Sequence, residues 1–293
     1  MKSEINDITK ELQEWIFAEE KAGRVVDMNR INERLQFMMR KRNSVPRSDF
    51  NGLSPEQMHE IIYRPFGSAC PVQLNHLNEA DYSRIPLVRQ ALFLMRTLSE
   101  KELKLTKNGW LPLKVVMESY RLGQPLWIVE EYGQKRLNEY ESESTWMARE
   151  LLQYLGWTKI RKGILSLTVK GKKAFADVDS AANEMLFASL TGGLLHFFDG
   201  YEDPQSGNIG VAYSLWLLNK FGDTWHNGDF YYDHYQKVFN IPGGRNPFET
   251  RVLDRLFYWL GIDDKQLNRN TPPPFKDEYR KTDLLNVLFT FKQ

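Results

Sequence analysis

The chain has 293 residues, a formal net charge of +1 and a single cysteine, and 26% of its residues are charged. This length suggests two domains and allows a sizeable hydrophobic core. One cysteine cannot form an internal disulfide, no Cys/His spacing is typical of a zinc site, and no apolar run approaches the roughly 20 residues of a membrane span. The charged N-terminal residues also lack the apolar segment of a secretory signal. We therefore expect a cytoplasmic protein without a membrane partner.

The near-neutral total conceals two blocks of opposite charge. Residues 101–175 carry a net charge of +6, whereas residues 176–235 carry −8. The stretch 156–175 contains six basic side chains and no acidic one. This change of sign predicts a boundary near residue 176. It divides the chain into an N-terminal helical region, a central module and an acidic, aromatic-rich helical region, which span residues 1–100, 101–176 and 177–293.

Helical periodicity dominates the N-terminal region. The helices that it predicts span residues 3–21, 28–42, 55–63 and 87–98. A short link joins the first two helices and favours a helical hairpin, with Asp27 as the N-cap of the second helix. Ser54 and Gln57 have the spacing of a capping box, which predicts that the third helix begins at Pro55.

The central module alternates between strand and helix patterns. Its predicted elements are a strand at 103–106, helices at 112–120, 128–138 and 144–155, strands at 158–160 and 164–168, and a helix at 170–176. A turn of three residues, 161–163, joins the last two strands, and Gly156 ends the preceding helix. Three helices, a two-stranded hairpin and a closing helix are in the order of a winged-helix module.

The signature Leu155-Gly156-Trp157, followed by a basic hairpin that ends in Leu167-Thr168-x-x-Gly171, resembles winged-helix modules. Together with residues 105–112, it is also similar to a segment of uncharacterised bacterial and plasmid-borne proteins. The resemblance covers about residues 103–176 and implies a fold rather than an activity. Winged helices bind duplex DNA in most known families and serve as protein-interaction modules in others.

Duplex DNA binding would place the helix at 144–155 in the major groove and the basic hairpin against phosphates. The residues predicted to make these contacts are Thr145, Arg149, Lys159, Arg161 and Lys162. The first two lie opposite the apolar stripe of the helix. Four carboxylates on or just before this helix would repel a phosphate backbone, so a module used only for packing remains an alternative. They belong to Glu139, Glu141, Glu143 and Glu150.

The C-terminal region contains eleven aromatic residues between positions 196 and 235. Its predicted helices span residues 180–195, 209–221, 230–239, 247–260 and 283–291. Aromatic residues at helical spacing most often form a core, but such a number also suits a surface for a protein partner or a second copy of the chain.

The densest set of acid, base or metal-ligand side chains comprises His226, Asp229, Asp233 and His234. This set lacks the spacing of a metal site, so we favour capping and solvent-facing roles, and we predict no cofactor. The predicted fold is mainly α, with a central winged helix and short β-hairpins. The favoured function is a non-enzymatic regulatory or adaptor protein that contacts duplex DNA. The alternatives are a structural or protein-interaction protein and, more weakly, a metal-dependent enzyme.

Overall fold

The computed structural model describes residues 2–241, 243–268 and 276–292, and it divides the chain into two compact units, Met1–Glu60 and Ile61–Gln293. The division into three regions, which rests on charge and composition, remains a prediction. No helix in the described residues is both long and apolar enough to cross a membrane.

The first unit begins with two helices that pack on each other, α1 (Lys2–Lys21) and α2 (Met28–Asn43). The Asp27 carboxylate accepts a hydrogen bond from the Arg30 backbone N–H at 2.9 Å and caps α2. An ion pair of 2.7 Å between Glu19 and Arg30 joins the end of α1 to the beginning of α2. The predicted helical hairpin and its N-cap are confirmed.

Helix α3 (Pro55–Tyr63) follows a capping box. The Ser54 backbone N–H donates to Gln57 Oε1 at 2.8 Å, and the Gln57 N–H donates to Ser54 Oγ at 3.2 Å. These two bonds satisfy N–H groups that the first turn of a helix otherwise leaves without partners. The sequence therefore identified the beginning of this helix correctly.

Helices also dominate the second unit, which confirms the mainly α prediction. They are α4 (Glu79–Tyr82), α5 (Pro86–Glu100), α6 (Leu113–Tyr120), α7 (Trp127–Tyr132), α8 (Glu143–Tyr154), α9 (Val169–Ala176), α10 (Val178–Thr191), α11 (Val211–Phe221), α12 (Gly228–Gln236), α13 (Arg245–Phe248), α14 (Tyr258–Leu260) and α15 (Leu284–Leu288). A 3-10 turn at Leu194–Phe198 and a π-helical segment at Glu249–Phe257 complete the set. The π-helical segment joins α13 to α14 without a break, so residues 245–260 form one long helix.

The strands are short and antiparallel. They are β1 (Val72–Leu74), β2 (Leu103–Lys104), β3 (Thr158–Arg161), β4 (Ile164–Leu167), β5 (His226–Asn227), β6 (Asp263–Asn268), β7 (Lys276–Lys281) and β8 (Phe289–Phe291). They form three small sheets, with the strand orders β1-β8, β2-β4-β3 and β5-β7-β6. Helices α5 and α9 pack against β4 of the second sheet, and α8 packs against β3. The β3-β4 hairpin therefore contacts all three helices.

The end of the chain differs from the sequence prediction. A helix was expected over 283–291, but α15 ends at Leu288 and the next three residues pair with β1, with Val72 opposite Phe291 and Leu74 opposite Phe289. Phe and Thr are strong strand formers, and a partner strand at this place favours pairing over another helical turn. The β6-β7 hairpin was not predicted at all.

Several described aromatic residues of the C-terminal region lie in its core. Tyr213, Tyr231 and Tyr235 are almost completely buried, and the Tyr235 ring lies 4.6 Å from that of Phe248. Among the residues 196–235 whose side chains the structure describes, Tyr201 is the exposed aromatic. The side chains that the structure describes between residues 196 and 235 therefore give the predicted aromatic binding surface little exposed aromatic area.

Candidate nucleic-acid interface

The β3-β4 hairpin turns through two residues rather than the three predicted. Arg161 is the last residue of β3 and pairs with Ile164, so Lys162 and Gly163 alone form the turn. Their φ angles are 51° and 73°. Positive φ at both central positions defines a type I′ turn, whose twist matches that of the flanking strands. The turn fixes Arg161 within the sheet and places Lys162 at its tip.

Strand register puts basic side chains on one face of this sheet. Ile164 lies between Arg161 on β3 and Lys104 on β2. Residues directly opposite one another in antiparallel strands point to the same face, and Lys159, two residues before Arg161, points to that face as well. All three cations are exposed, as is Lys162. We call Lys104, Lys159, Arg161 and Lys162 the basic hairpin surface.

The basic hairpin surface keeps its positive charge available. Within the described part of the chain, none of its four side chains forms an ion pair with a carboxylate. The charge of Lys170, which lies nearby in the sequence, is paired instead. Its Nζ is 3.5 Å from Glu184 and donates a hydrogen bond to the Leu155 carbonyl. The sheet therefore presents four exposed cations around the apolar side chain of Ile164, which is 37% exposed.

The Leu-Thr-x-x-Gly signature holds α9 against the base of the hairpin. Thr168 Oγ1 accepts from the Gly171 N–H at 3.0 Å and donates to the Gly156 carbonyl at 2.7 Å. At Gly171 a Cβ atom would collide with the backbone of Trp157, whose side chain is completely buried. Threonine and glycine are thus required by this packing, and the signature is structural rather than a set of ligand contacts.

Thr145, which was predicted to contact DNA, is completely buried. Its Oγ1 accepts from Ser142 Oγ at 2.9 Å and from Gln90 Nε2 at 3.2 Å, and lies 3.2 Å from Ser119 Oγ. This network of hydroxyl and amide groups connects α8 to α5 and α6. The side chain is therefore directed into the protein and is not available to a nucleic acid in this structure.

Arg149, the second helix residue predicted to contact DNA, is also directed inwards and is 6% exposed. Its Nε lies 2.7 Å from Glu139 Oε1, and its Nη1 donates to the Gly109 carbonyl at 3.1 Å. Glu139 in turn accepts from the Leu111 N–H at 2.7 Å. Burial raises the pKa of Glu139, while the Arg149 charge opposes that shift. The pair fixes α8 to the loop before α6.

The apolar stripe of α8 predicts an exposed polar face on the opposite side of the helix. The helix instead packs against α5, α6, α10 and the 3-10 turn, which cover most of its circumference. Its accessible face carries Trp146, Glu150 and Tyr154, and Trp146 Nε1 donates to Glu150 Oε1 at 3.1 Å. This face is aromatic and acidic. The five predicted contact residues thus separate into three exposed hairpin cations and two buried helix residues.

The residues considered for metal or acid–base chemistry, His226, Asp229, Asp233 and His234, make other contacts in the structure. The His226 ring stacks on Phe230 at 4.0 Å, and the His234 ring stacks on Phe221 at 4.7 Å. Hydrogen bonds from lysine and arginine side chains, Lys276 and Arg245, lower the pKa of Asp229. The described residues include no group of three or more side chains placed to hold a metal ion.

Comparison with protein-family models, with curated proteins and with solved structures finds no match to this chain.

Proposed function

We propose that residues 86–176 form a winged-helix module that binds the phosphate backbone of duplex DNA through the basic hairpin surface. The element order α5, β2, α6, α7, α8, β3, β4, α9 and the strand order β2-β4-β3 support the module. The observation that carries the function is the row of exposed cations, Lys104, Lys159, Arg161 and Lys162, none paired with a described carboxylate.

The proposed binding does not depend on DNA sequence. Phosphate contacts position a protein on a duplex, whereas base contacts in the grooves provide specificity. Thr145 and Arg149 are buried, and the accessible face of α8 carries the Glu150 carboxylate, which repels phosphate. Helix α8 therefore does not read the major groove in this proposal, and the hairpin makes the contacts.

The test is fluorescence anisotropy with a labelled random-sequence duplex over a range of salt concentrations. Neutralisation of four phosphates predicts a slope of about −3.6 in a plot of log K against log salt. The variant Arg161→Gln/Lys162→Asn removes two cations, and asparagine tolerates the positive φ of the turn. We expect its slope to be smaller by about 2 in magnitude.

The matched control removes two exposed lysines outside the module, Lys237→Gln and Lys292→Gln. It changes the net charge equally and is expected to keep the wild-type slope. Absence of binding at low salt, or the same loss of affinity in both variants, would contradict the proposal.

A second candidate function, recognition of a protein partner, is favoured by a row of aromatic rings beside α8. Tyr140 is 64% exposed, and its ring lies 6.4 Å from Trp110 and 6.0 Å from Trp146. Aromatic side chains are enriched at protein interfaces. Tyr140→Glu separates the two functions, because it places a charge on this row while the hairpin cations stay intact. Loss of duplex binding in this variant would argue that the row belongs to the DNA-binding surface.

A further inference from the structure

The α1-α2 hairpin leaves much of its apolar surface exposed. Each helix contributes an apolar stripe to their contact, but the stripe residues remain about half-buried; they are Ile8, Leu12, Trp15, Ile16, Ile31 and Leu35. In the described side chains of the two helices, Met38 is the buried apolar residue. Phe17 and Phe37 are 68% and 52% exposed. Two helices alone cover only one side of such stripes, so a further layer is needed to bury them.

The two helices carry opposite charges. Helix α1 has six acidic and three basic residues, a net charge of −3, whereas α2 has one acidic and five basic residues, a net charge of +4. Ion pairs within the hairpin neutralise some of these charges, such as the pair between Glu11 and Arg42 at 3.3 Å. Other charged residues of the hairpin are exposed and form no ion pair with a described residue. They are Asp7 and Glu14 on α1 and Arg40 and Lys41 on α2.

We propose that the α1-α2 hairpin pairs with the same hairpin of a second copy of this chain and forms a four-helix bundle around a two-fold axis parallel to the helices. A two-fold interface must be complementary to itself. In this arrangement each acidic α1 lies between two antiparallel basic helices, its own α2 and the α2 of the other copy. Asp7 then lies close to the level of Arg40 and Lys41 of the second copy, and Glu14 lies between that level and the interhelical loop.

Charge complementarity favours a second copy of the chain as the partner and a two-fold axis parallel to the helices. A partner of one charge sign would match one helix and be repelled by the other, whereas a second hairpin matches both. With the axis perpendicular to the helices and all neighbours antiparallel, α1 would instead lie beside the second α1. That arrangement brings like charges together and leaves the surplus charge on α2 without a partner.

The first measurement is sedimentation equilibrium of the full chain over a range of concentrations. Wild type is expected to form a dimer, and Phe37→Glu, which puts a charge into the bundle, is expected to raise the dimer dissociation constant at least tenfold. Val169→Glu is the control, because Val169 is 75% exposed and lies outside the hairpin. Circular dichroism verifies that each variant keeps its helix content. A wild type that stays monomeric, or equal effects of both variants, would overturn the proposal.

Charge exchange distinguishes a second copy from packing against the rest of the same chain. The variants Arg40→Glu/Lys41→Glu and Asp7→Lys/Glu14→Lys are expected to be monomeric alone, because each brings like charges together across the interface. Mixed in equal amounts, they are expected to recover a dimer that contains one copy of each. No association on mixing contradicts pairing between copies.

A cysteine in the interhelical loop tests the axis. An axis parallel to the helices puts both loops at the same end of the bundle, so Val25→Cys is expected to form a disulfide between copies under mild oxidation. Val25 is 82% exposed, and the native Cys70 is buried and does not compete. A dimer that fails to cross-link through Cys at this position has the other axis, which contradicts the arrangement proposed.

Discussion

The Arg255 guanidinium holds the Glu143 carboxylate in a bidentate ion pair, with its Nε and Nη2 each 2.9 Å from one carboxylate oxygen. This pair joins the long helix at 245–260 to the first turn of α8. One turn earlier, the buried Arg251 binds Asp199 through Nε at 2.7 Å and Nη2 at 2.9 Å. Although burial opposes ionisation of Asp199, its contacts with Arg251 keep its pKa below the ordinary value. Two arginines thus connect the long helix at 245–260 to α8 and to the loop at 199–206.

Replacement of Arg255 by alanine is expected to lower the free energy of unfolding by about 3 kcal/mol, because a half-buried carboxylate then loses its bidentate partner. Urea denaturation followed by circular dichroism measures the change. The control is Arg84→Ala, which breaks an exposed pair with Asp283 and is expected to cost less than about 1 kcal/mol. Equal losses in the two variants would show that the Arg255–Glu143 pair does not stabilise this junction.

Thr145→Val is expected to lower the free energy of unfolding by about 2 kcal/mol and to leave duplex affinity unchanged. Valine keeps the shape of the side chain but removes the hydroxyl, so Ser142 and Gln90 lose a buried acceptor. Urea denaturation and anisotropy on the same preparation separate the two effects. A loss of DNA affinity in a fully folded variant would show that Thr145 contributes to DNA binding.

Gly171→Ala is expected to destabilise the protein by about 3 kcal/mol, because the added methyl group meets the rigid backbone of Trp157. At Gly200 a Cβ atom meets nothing within contact distance and φ is not positive. Gly200→Ala is therefore the matched control, and its melting temperature is expected to stay close to that of wild type. Comparable melting temperatures for both variants would contradict the role of the signature glycine.

The buried carboxyl group of Asp263 is expected to make the stability of the protein depend on pH. Its side chain is 1% exposed, and neither carboxylate oxygen has a hydrogen-bond partner elsewhere in the described part of the chain. Burial raises its pKa well above the ordinary value. The folded state therefore holds this proton at pH values where the unfolded state has released it, so stability falls as the pH rises from about 3.9 through the folded-state pKa.

Asp263→Asn removes this titration. The variant is expected to be more stable than wild type at neutral pH, with a difference that shrinks as the pH falls towards about 4 and stays constant at lower pH. Urea denaturation at a series of pH values gives the comparison. A difference that is constant over the whole series would show that Asp263 is ionised in the folded protein.

Local patterns in the sequence predicted much of the secondary structure. Helical periodicity located α1, α2, α5 and α8, and capping residues such as Asp27 and Ser54 marked where helices begin. The hairpin cations were also identified, because a stretch without acidic residues is visible in the sequence alone. These features depend on neighbours within a few positions along the chain.

Features that depend on distant parts of the chain were missed. Strands β6 and β7 are rich in charged residues, so their sequences carry no alternation, and they form strands because they pair with each other. Arg251 is 0% exposed although arginine is usually at the surface, since its partners lie about 50 positions earlier in the loop at 199–206. The inward direction of Thr145 and Arg149 depends in the same way on helices that the sequence could not place around α8.

Strands β1 and β8 set a constraint on the order of events during synthesis. Asn75, just after β1, accepts a hydrogen bond from Thr290 of β8 across 215 positions of the chain. A ribosome adds about 5 to 20 residues per second, so β1 waits roughly 10 to 40 s for its partner. During that interval the nascent chain carries a strand whose backbone groups are unpaired, together with the apolar side chains that β8 later covers. The pairing of β1 with β8, and with it the complete fold of the second unit, can therefore form only after residue 291 has been added.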